Sequence, residues 1–123
     1  VELAEDVVAW GANGFGMWAV REAQDYRFAG ITGLAHRRDG RGVGLRFALW
    51  PEAQGRGLAR EAAAAALRFG HDHARLPRII AVARGSNFAS RMVLGGIGMR
   101  HCGQFTRNGW EMLIYESTAT GQF

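Results

Sequence analysis

Apolar and β-branched residues fall into short runs along the first half of the chain, and polar turns separate these runs. The runs FGMWAVRE, YRFAGITGLAHR and VGLRFALW are typical of strands, and the turn signal DGRG precedes the third. Strands joined by short polar turns pair with their neighbours in antiparallel order. The pattern predicts a three-stranded antiparallel meander that ends at Pro51, because proline cannot donate to a ladder.

The hydrophobic period changes after Pro51. Apolar residues then recur at helical spacing, and we expect this stripe to face the core: Leu58, Ala62, Ala65, Ala66 and Phe69. The run RIIAVAR at 78–84 is short, apolar and typical of a buried strand. Strand, glycine turn, helix and strand together form a βαβ unit, so the two strands are predicted to be parallel.

The last forty residues contain one more helix and a hairpin. The segment SNFASRMVLGGIGM is predicted to be a helix that Ser86 or Asn87 caps and that glycines end. The runs HCGQFTR and WEMLIYE flank Asn108 and Gly109, the signal of a type I′ turn. The sequence therefore predicts an α+β fold with a mixed central sheet: an antiparallel meander, a βαβ unit and a C-terminal hairpin.

Length and charge narrow the classes of function. The chain of 123 residues is expected to form a single domain over residues 1–123. Its formal charge of +4 comes from arginine alone, since the sequence contains no lysine. The arginines are scattered among eleven acidic residues and no nucleic-acid motif is present, so nucleic acid is not the expected partner. A phosphorylated small molecule fits such arginines better.

The composition also bears on compartment and metal binding. No apolar run approaches the length of a membrane span, and no signal-peptide pattern opens the chain. The single cysteine, Cys102, cannot form an internal disulfide, which favours a reducing cytoplasm, and we expect it to be buried. His36, His71, His73 and His101 do not combine with it in any zinc spacing, so no metal is predicted.

Two glycines flank Arg56 directly before the first helix, in the stretch QGRGLAR. Gly55 and Gly57 carry no Cβ, so the backbone N–H groups of 55–60 can approach a ligand at the positive end of the helix. This pattern predicts a phosphate site, to which Arg56 and Arg60 could add charge-assisted contacts. The alternative is a tight strand-to-helix connection that holds no ligand.

The same stretch carries a family motif. Gln54, Gly57 and Ala59 match the pattern Q/R-x-x-G-x-G/A of the acetyl-CoA site of the GNAT acetyltransferases, and the E-A pair that follows extends the match. Downstream, RIIAVARGSNFASRMVLGGIGM is similar to the strand, the N-x-x-S helix and the closing glycine of that family. The spacing resembles the RimJ/RimL-like branch, which acetylates protein N-termini and small amines. The resemblance covers roughly residues 15–117.

The resemblance implies a three-layer GNAT fold and the transfer of an acetyl group from acetyl-CoA to a primary amine by direct attack. The pantetheine arm would pair with the third predicted strand, in the V-shaped gap between the two parallel strands, and the N–H of Leu49 or Trp50 would polarise the thioester carbonyl. The acetyl-CoA site implied by the resemblance comprises Leu49, Trp50, Gln54, Gly55, Arg56, Gly57, Leu58, Ala59, Arg60, Asn87 and Ser90.

The resemblance also implies catalytic roles. Asn87 would contact the pantetheine and Ser90 would donate a proton to the sulfur; alternatively, Asn87 only caps its helix and Ser90 is a small residue facing the sheet. Leu94 stands where many relatives carry a tyrosine acid, which favours Ser90 as the acid. Glu111 is the candidate base or amine-binding group; the alternatives are an exposed acid without a role and a water relay to bulk solvent.

One departure from the family pattern is large. The family usually has a first strand and one or two helices before the strand at Phe15, whereas only residues 1–14 stand there. The chain is therefore expected to be a fragment, an incompletely represented chain or a natural short form. A sheet without that strand would leave Met17 and Trp18 partly unprotected, which predicts a homodimer through this region, with the partner completing the acceptor wall. A second hypothesis is a non-catalytic CoA-binding or structural module.

Overall fold

The computed structural model describes residues 15–22, 27–50, 54 and 57–119. The N-terminal stretch 1–14, the predicted turn near Asp25, and Gly55 and Arg56 of the glycine turn lie outside these residues. The described elements are β1 (Met17–Arg21), β2 (Phe28–His36), β3 (Val43–Leu49), α1 (Leu58–Asp72), β4 (Arg78–Arg84), α2 (Phe88–Gly96), β5 (Arg100–Arg107) and β6 (Trp110–Thr118). The strands form one sheet in the order β1-β2-β3-β4-β6-β5, which confirms the mixed α+β fold.

Most of the sheet is antiparallel and fully paired. The predicted meander β1-β2-β3 is present, and β6 pairs along β4 from Thr118 opposite Arg78 to Met112 opposite Arg84. The predicted hairpin between β5 and β6 turns at Asn108 and Gly109, whose φ angles are 51° and 81°. Two positive φ angles in succession define the type I′ turn that this dipeptide predicted.

The parallel strands β3 and β4 pair over a much shorter length than the antiparallel strands do. The two strands share a single bridge, between Gly44 and Ile80. From there β3 continues to Leu49 and β4 to Arg84 without pairing to each other. The sheet is therefore open between these two strands, as the predicted βαβ unit with a V-shaped gap requires.

Both helices pack on one face of the sheet and form its core there. A Cβ atom built on Gly70 of α1 would lie 2.5 Å from Ile79 Cδ1 and 2.9 Å from Leu34 Cδ1, so a larger residue here would force these side chains to shift. The buried residues of this core cluster are Phe15, Leu34, Val43, Leu45, Ala63, Ala66, Leu67, Ile79, Ala81, Ala83, Leu94, Met99, Leu113 and Tyr115.

The core-facing stripe of α1 differs from the predicted one. Of the five residues predicted to face the core, Ala66 alone is buried. The buried residues of the helix are Ala63, Ala66, Leu67, Gly70 and His71. A run of consecutive alanines has little hydrophobic contrast between its faces, so the sequence pattern did not fix the rotation of the helix.

The prediction that Cys102 is buried is wrong. The residue is exposed, and its Sγ lies 3.9 Å from Nη2 of Arg78. It belongs to β5, the last strand of the sheet order, at an irregularity where the register shifts between His101 and Gly103. A bulge on a terminal strand turns side chains out of the regular alternation.

Candidate active site

The start of α1 presents open backbone N–H groups. Gly57 is the N-cap, with φ 76° and ψ 3° in the left-handed region, and no side chain caps the helix within the described residues. A Cβ atom built on Gly57 would meet no described atom within 4 Å. The first N–H groups of a helix have no partner inside the helix and lie at its positive end. The space in front of Leu58, Ala59 and Arg60 can therefore receive an anion.

Some hydrogen-bonding groups between the end of β3 and the Gly57 turn already have partners within the chain. The side-chain amide of Gln54 donates to the carbonyl of Leu49 at 3.1 Å, which closes the chain back on the end of β3. The N–H of Trp50 donates to the carbonyl of Ala29 at 2.8 Å. Because successive strand N–H groups point in opposite directions, the N–H of Leu49 points away from β2, toward the open side of β3. Trp50 is therefore wrong as the N–H donor to a thioester, and Leu49 is the candidate that fits.

Arg60 connects the two helices at this end of the molecule. A Cβ atom built on Gly96, the last residue of α2, would lie 2.5 Å from Nη2 and 2.8 Å from Cζ of Arg60. The guanidinium therefore lies flat against the C-terminal end of α2, where helix carbonyl groups favour a positive charge. Its charge remains next to the first turn of α1.

The start of α2 shows what Asn87 does in the folded chain. Its Oδ1 accepts the N–H of Ser90 at 3.1 Å, so Asn87 is the N-cap, one of the two caps that the sequence predicted. The cap uses the side-chain oxygen only, and the Nδ2 donors are not part of it. The same bond positions Ser90 in the first turn of the helix, where the side chain is half-buried.

A cavity of about 960 Å³ lies at the opening between β3 and β4. One part of its wall is apolar and comprises Leu34, Leu45, Phe47, Ala81, Ala83 and Leu94. Ser90 is the hydroxyl-bearing side chain among the described residues of the wall. Another part is polar and comprises His36 and the charged side chains of Arg37, Arg38, Asp39, Arg46 and Arg107. The cavity can thus hold an apolar arm beside a hydroxyl donor and a charged group at its polar end.

Asp39 is held ionised by the arginines around it. It accepts a hydrogen bond from Nη2 of Arg37 at 2.8 Å and one from the backbone N–H of Arg41 at 3.1 Å. The hydrogen bond from Arg37, with help from Arg41, lowers the pKa of Asp39 to about 2. A carboxylate with so low a pKa is a weak base at neutral pH and therefore a poor candidate for the general base.

Glu111 is not among the described residues that line this cavity. Its side chain is exposed, and its Oε1 would lie 2.9 Å from a Cβ atom built on Gly85. The N–H of Gly85 donates to the carbonyl of Glu111 at 2.9 Å, which fixes this part of β6 at the turn between β4 and α2. The fold therefore brings Ser90 to the cavity and leaves Glu111 at the turn outside its wall.

Sequence reasoning missed the charged part of the cavity wall. Most of its residues come from the hairpin between β2 and β3, and Arg107 comes from the end of β5. In the hairpin stretch HRRDGR, His36 and Arg37 were interpreted as the end of a strand run and Asp39 as the start of a turn. The dense charge in this stretch was the available signal. Neither it nor the sequence spacing indicated that the hairpin meets β5, because that contact depends on how the sheet curves.

The described residues provide neither a metal site nor a helix that could cross a membrane. They contain no group of three or more histidine, cysteine, aspartate or glutamate side chains that could hold a metal ion. Neither of their helices is long and apolar enough to span a bilayer.

The fold is similar to those of several solved acetyltransferases. A protein of the GnaT acetyltransferase family from Bordetella pertussis is 25% identical, with a TM-score of 0.84 over 95% of this chain and 74% of that one. Ribosomal-protein-S5-alanine acetyltransferase from Vibrio fischeri is 18% identical, with a TM-score of 0.83 over 96% and 69%. A variant of spermidine N-acetyltransferase SpeG from Vibrio cholerae is 20% identical, with a TM-score of 0.77 over 97% and 73%.

The sequence itself matches a family model. Residues 1–100 match the model described as Acetyltransferase (GNAT) domain. This match spans most of the chain, and the sheet, the Gly57 turn and the opening between β3 and β4 are the features that the motifs implied. The chain therefore belongs to the GNAT acetyltransferase family and is an acyltransferase.

Proposed function

We propose that the protein transfers the acetyl group of acetyl-CoA to a primary amine by direct attack. The observation that carries the proposal is the cavity at the opening between β3 and β4, which has Ser90 on its wall. An open helix start at Gly57 supports it, since CoA carries a pyrophosphate that such an N-terminus can bind. GNAT acetyltransferases use acetyl-CoA as the acetyl donor.

In this proposal the pyrophosphate binds the N–H groups that begin α1, and Arg56 and Arg60 add charge-assisted contacts. The pantetheine arm extends along β3, whose residues beyond Gly44 have no partner strand on that side in the described part of the sheet. The N–H of Leu49 donates to the thioester carbonyl and stabilises the charge that develops on its oxygen. Asn87 contacts the arm through its Nδ2 group.

The chemistry needs two proton transfers. A neutral amine attacks the carbonyl carbon, the C–N bond forms, and the C–S bond then breaks to release the thiolate of CoA. Ser90 gives its hydroxyl proton to the sulfur and regains a proton from solvent. The nitrogen loses a proton to water that leads to bulk solvent, and Glu111, which is exposed outside the cavity wall, is the proposed base that takes the proton from this water. Each group then returns to its starting state.

Two finer parts of the function belong to the same proposal. The motif spacing supports the RimJ/RimL-like branch, and the Vibrio relatives are named for a protein acceptor and for a polyamine acceptor.

The homodimer and the cytoplasmic location stay predictions. Light scattering at micromolar concentration tests the first, and a stable monomer would exclude it. The homodimer was predicted because Met17 and Trp18 were expected to be partly unprotected. The ring of Trp18 does have a partner, since it packs edge-to-face on Phe69 with 5.1 Å between the ring centroids.

The experiment is a thiol-release assay with acetyl-CoA and a panel of primary amines, next to calorimetry of acetyl-CoA binding. Release of free CoA that depends on the amine, with the acetylated amine found by mass spectrometry, supports the proposal. Tight binding without amine-dependent release favours the non-catalytic CoA-binding module instead. Absence of both binding and release overturns the proposed function.

A further inference from the structure

The polar end of the cavity has a strong excess of positive charge. We name its four arginines the arginine rim: Arg37, Arg38, Arg46 and Arg107. The carboxylate on the same part of the wall is Asp39, which already contacts Arg37 and Arg41. Arg38 and Arg46 form no ion pair in the part of the chain that the structure describes. The rim therefore keeps a net positive charge that a bound anion could neutralise.

The arginine rim lies on the opposite face of the sheet from the start of α1. Leu45 and Phe47 of β3 pack with the core beneath the helices. Arg46, between them in the strand, projects to the other face because strand side chains alternate. The same alternation places Met112, which lines the cavity, on the face opposite to the buried Leu113.

Contacts between the hairpin and β5 hold the rim together. The guanidinium of Arg41 lies over the ring of Phe105 at 4.2 Å from its centroid. Nη2 of Arg107 lies 4.0 Å from Oδ2 of Asp39. Phe105 pairs with Met112 across the β5-β6 ladder, so these contacts occur on the same face as the rim. The rim is thus assembled from two hairpins that are distant in sequence.

The arginine rim belongs to the cavity at the opening between β3 and β4, and the start of α1 lies on the helix face of the same sheet. If CoA binds its phosphates at the Gly57 turn on the helix face, the other face is left for the acceptor amine. The rim is then not needed for the phosphates of CoA. Its charge faces the molecule that delivers the amine.

We propose that the acceptor carries carboxylate groups close to its primary amine and that the arginine rim binds them. This inference rests on the proposed function. A guanidinium binds a carboxylate through paired hydrogen bonds, and a wall of one charge sign raises the local concentration of oppositely charged substrates. A polyamine is repelled by the same wall, which makes it a poor acceptor. An acidic amino acid and a peptide with an acidic N-terminal segment share the required chemistry.

The test compares acceptors of equal size and different charge. Three tetrapeptide amides, Ala-Glu-Glu-Ala, Ala-Gln-Gln-Ala and Ala-Lys-Lys-Ala, are assayed beside free glutamate and spermidine. We expect kcat/KM for the acidic peptide or for glutamate to exceed that of the neutral peptide by about tenfold, and the advantage to shrink as salt is added. The lysine peptide and spermidine are expected to be the weakest acceptors. The better of glutamate and the acidic peptide identifies the source of the carboxylate.

A charge reversal links the preference to the rim. Arg46→Glu is expected to lower the ratio of kcat/KM between acidic and neutral peptides by about tenfold, mainly through KM. The matched control is Arg68→Glu, which makes the same charge change at an exposed arginine of α1 away from the rim. Arg68→Glu is expected to leave the ratio unchanged. Circular dichroism and melting curves verify that both variants are folded.

The outcomes separate this inference from the proposed function. Equal kcat/KM for all charges, or a preference for spermidine, overturns the inference while the measured transfer supports the function. An equal change of the ratio in both variants also overturns it, because the rim would then have no special role. If the protein neither binds acetyl-CoA nor transfers an acetyl group to any amine, both proposals are overturned together.

Discussion

Strand β4 has two very different neighbours. On one side β6 pairs with it along its whole length, from Arg78 opposite Thr118 to Arg84 opposite Met112. On the other side β3 meets it at a single bridge, Gly44 with Ile80. The first side is closed by hydrogen bonds, and the second opens into the cavity on whose wall Ser90 lies.

The difference follows from how the chain connects these strands. An antiparallel neighbour can pair through the whole strand, whereas a parallel neighbour is reached through a crossover helix. Here α1 makes that crossover, and its tight contact at Gly70 with Ile79 and Leu34 holds the strands on one core while they diverge. The closed side is therefore expected to supply stability and the open side binding and catalysis. Four changes test this division.

The largest effect is expected on the closed, core-facing side. Ile79 is fully buried and contacts the region of Gly70, so Ile79→Ala leaves a cavity under α1. We expect the free energy of unfolding to fall by about 3 kcal/mol. Urea denaturation measures the free energy of unfolding. The control is Val82→Ala, which removes a half-buried side chain of the same strand and is expected to cost less stability. A loss below about 1 kcal/mol for Ile79→Ala would contradict the division.

On the open side, Ser90→Ala should affect the reaction and not the fold. If Ser90 protonates the leaving thiolate, kcat falls by roughly ten to a thousandfold while acetyl-CoA affinity changes little. The control is Ser86→Ala, an exposed serine just before the same helix that does not line the cavity. A parallel loss of affinity would make Ser90 a ligand contact rather than the acid.

The phosphate site at the Gly57 turn can be tested with two valine variants that carry the same backbone strain, one at the turn and one away from it. A valine at φ 76° is strained, and its Cβ branch would occupy the open space before α1. We expect Gly57→Val to weaken acetyl-CoA binding by about tenfold or more. Gly40 also has φ 76° and no described atom within 4 Å of a built Cβ, so Gly40→Val carries the same strain away from the turn. Equal affinities of the two variants in calorimetry would exclude the phosphate site.

The smallest effect concerns a surface ion pair on the closed side. Hydrogen bonds from Arg78 and Arg100 lower the pKa of Glu116 below its ordinary value of 4.5. The stability from this group is present above pH 4.5 and is lost as pH falls through the lower folded pKa. Glu116→Gln should therefore melt slightly below the unmodified protein at neutral pH, and the difference should vanish in acid. The control is Glu111→Gln, which makes the same charge change at an exposed glutamate of the same strand that forms no ion pair with the described residues.

Local backbone chemistry made several features predictable. The glycine turn before α1, a cap at Ser86 or Asn87 and the type I′ turn at Asn108 and Gly109 were all expected from the residues themselves. Each depends on a few neighbouring atoms, such as a missing Cβ or a short polar side chain. The strand runs gave the order of elements for the same reason, since alternation and apolar content are properties of each segment.

Tertiary structure decided the rest. The rotation of α1 was not fixed by the run of alanines in the middle of the helix, and the exposure of Cys102 depends on the place of β5 at the end of the sheet. The hydrogen bond from Trp50 to Ala29 depends on the register of β3 against β2. These outcomes require the positions of other strands, which a segment's own sequence does not contain.

The candidate site shows both contributions. The sequence by itself determined the glycine turn, a helix cap at Ser86 or Asn87 and the serine that follows in the first turn, because their spacing specifies a helix start and a family motif. Only the tertiary structure decided that Ser90 lines a cavity, that Glu111 does not, and that arginines from two hairpins share its wall. The physical reason is that these groups meet through the unpaired interval between β3 and β4 and through the contact of the β2-β3 hairpin with Phe105, which arise from packing between distant segments.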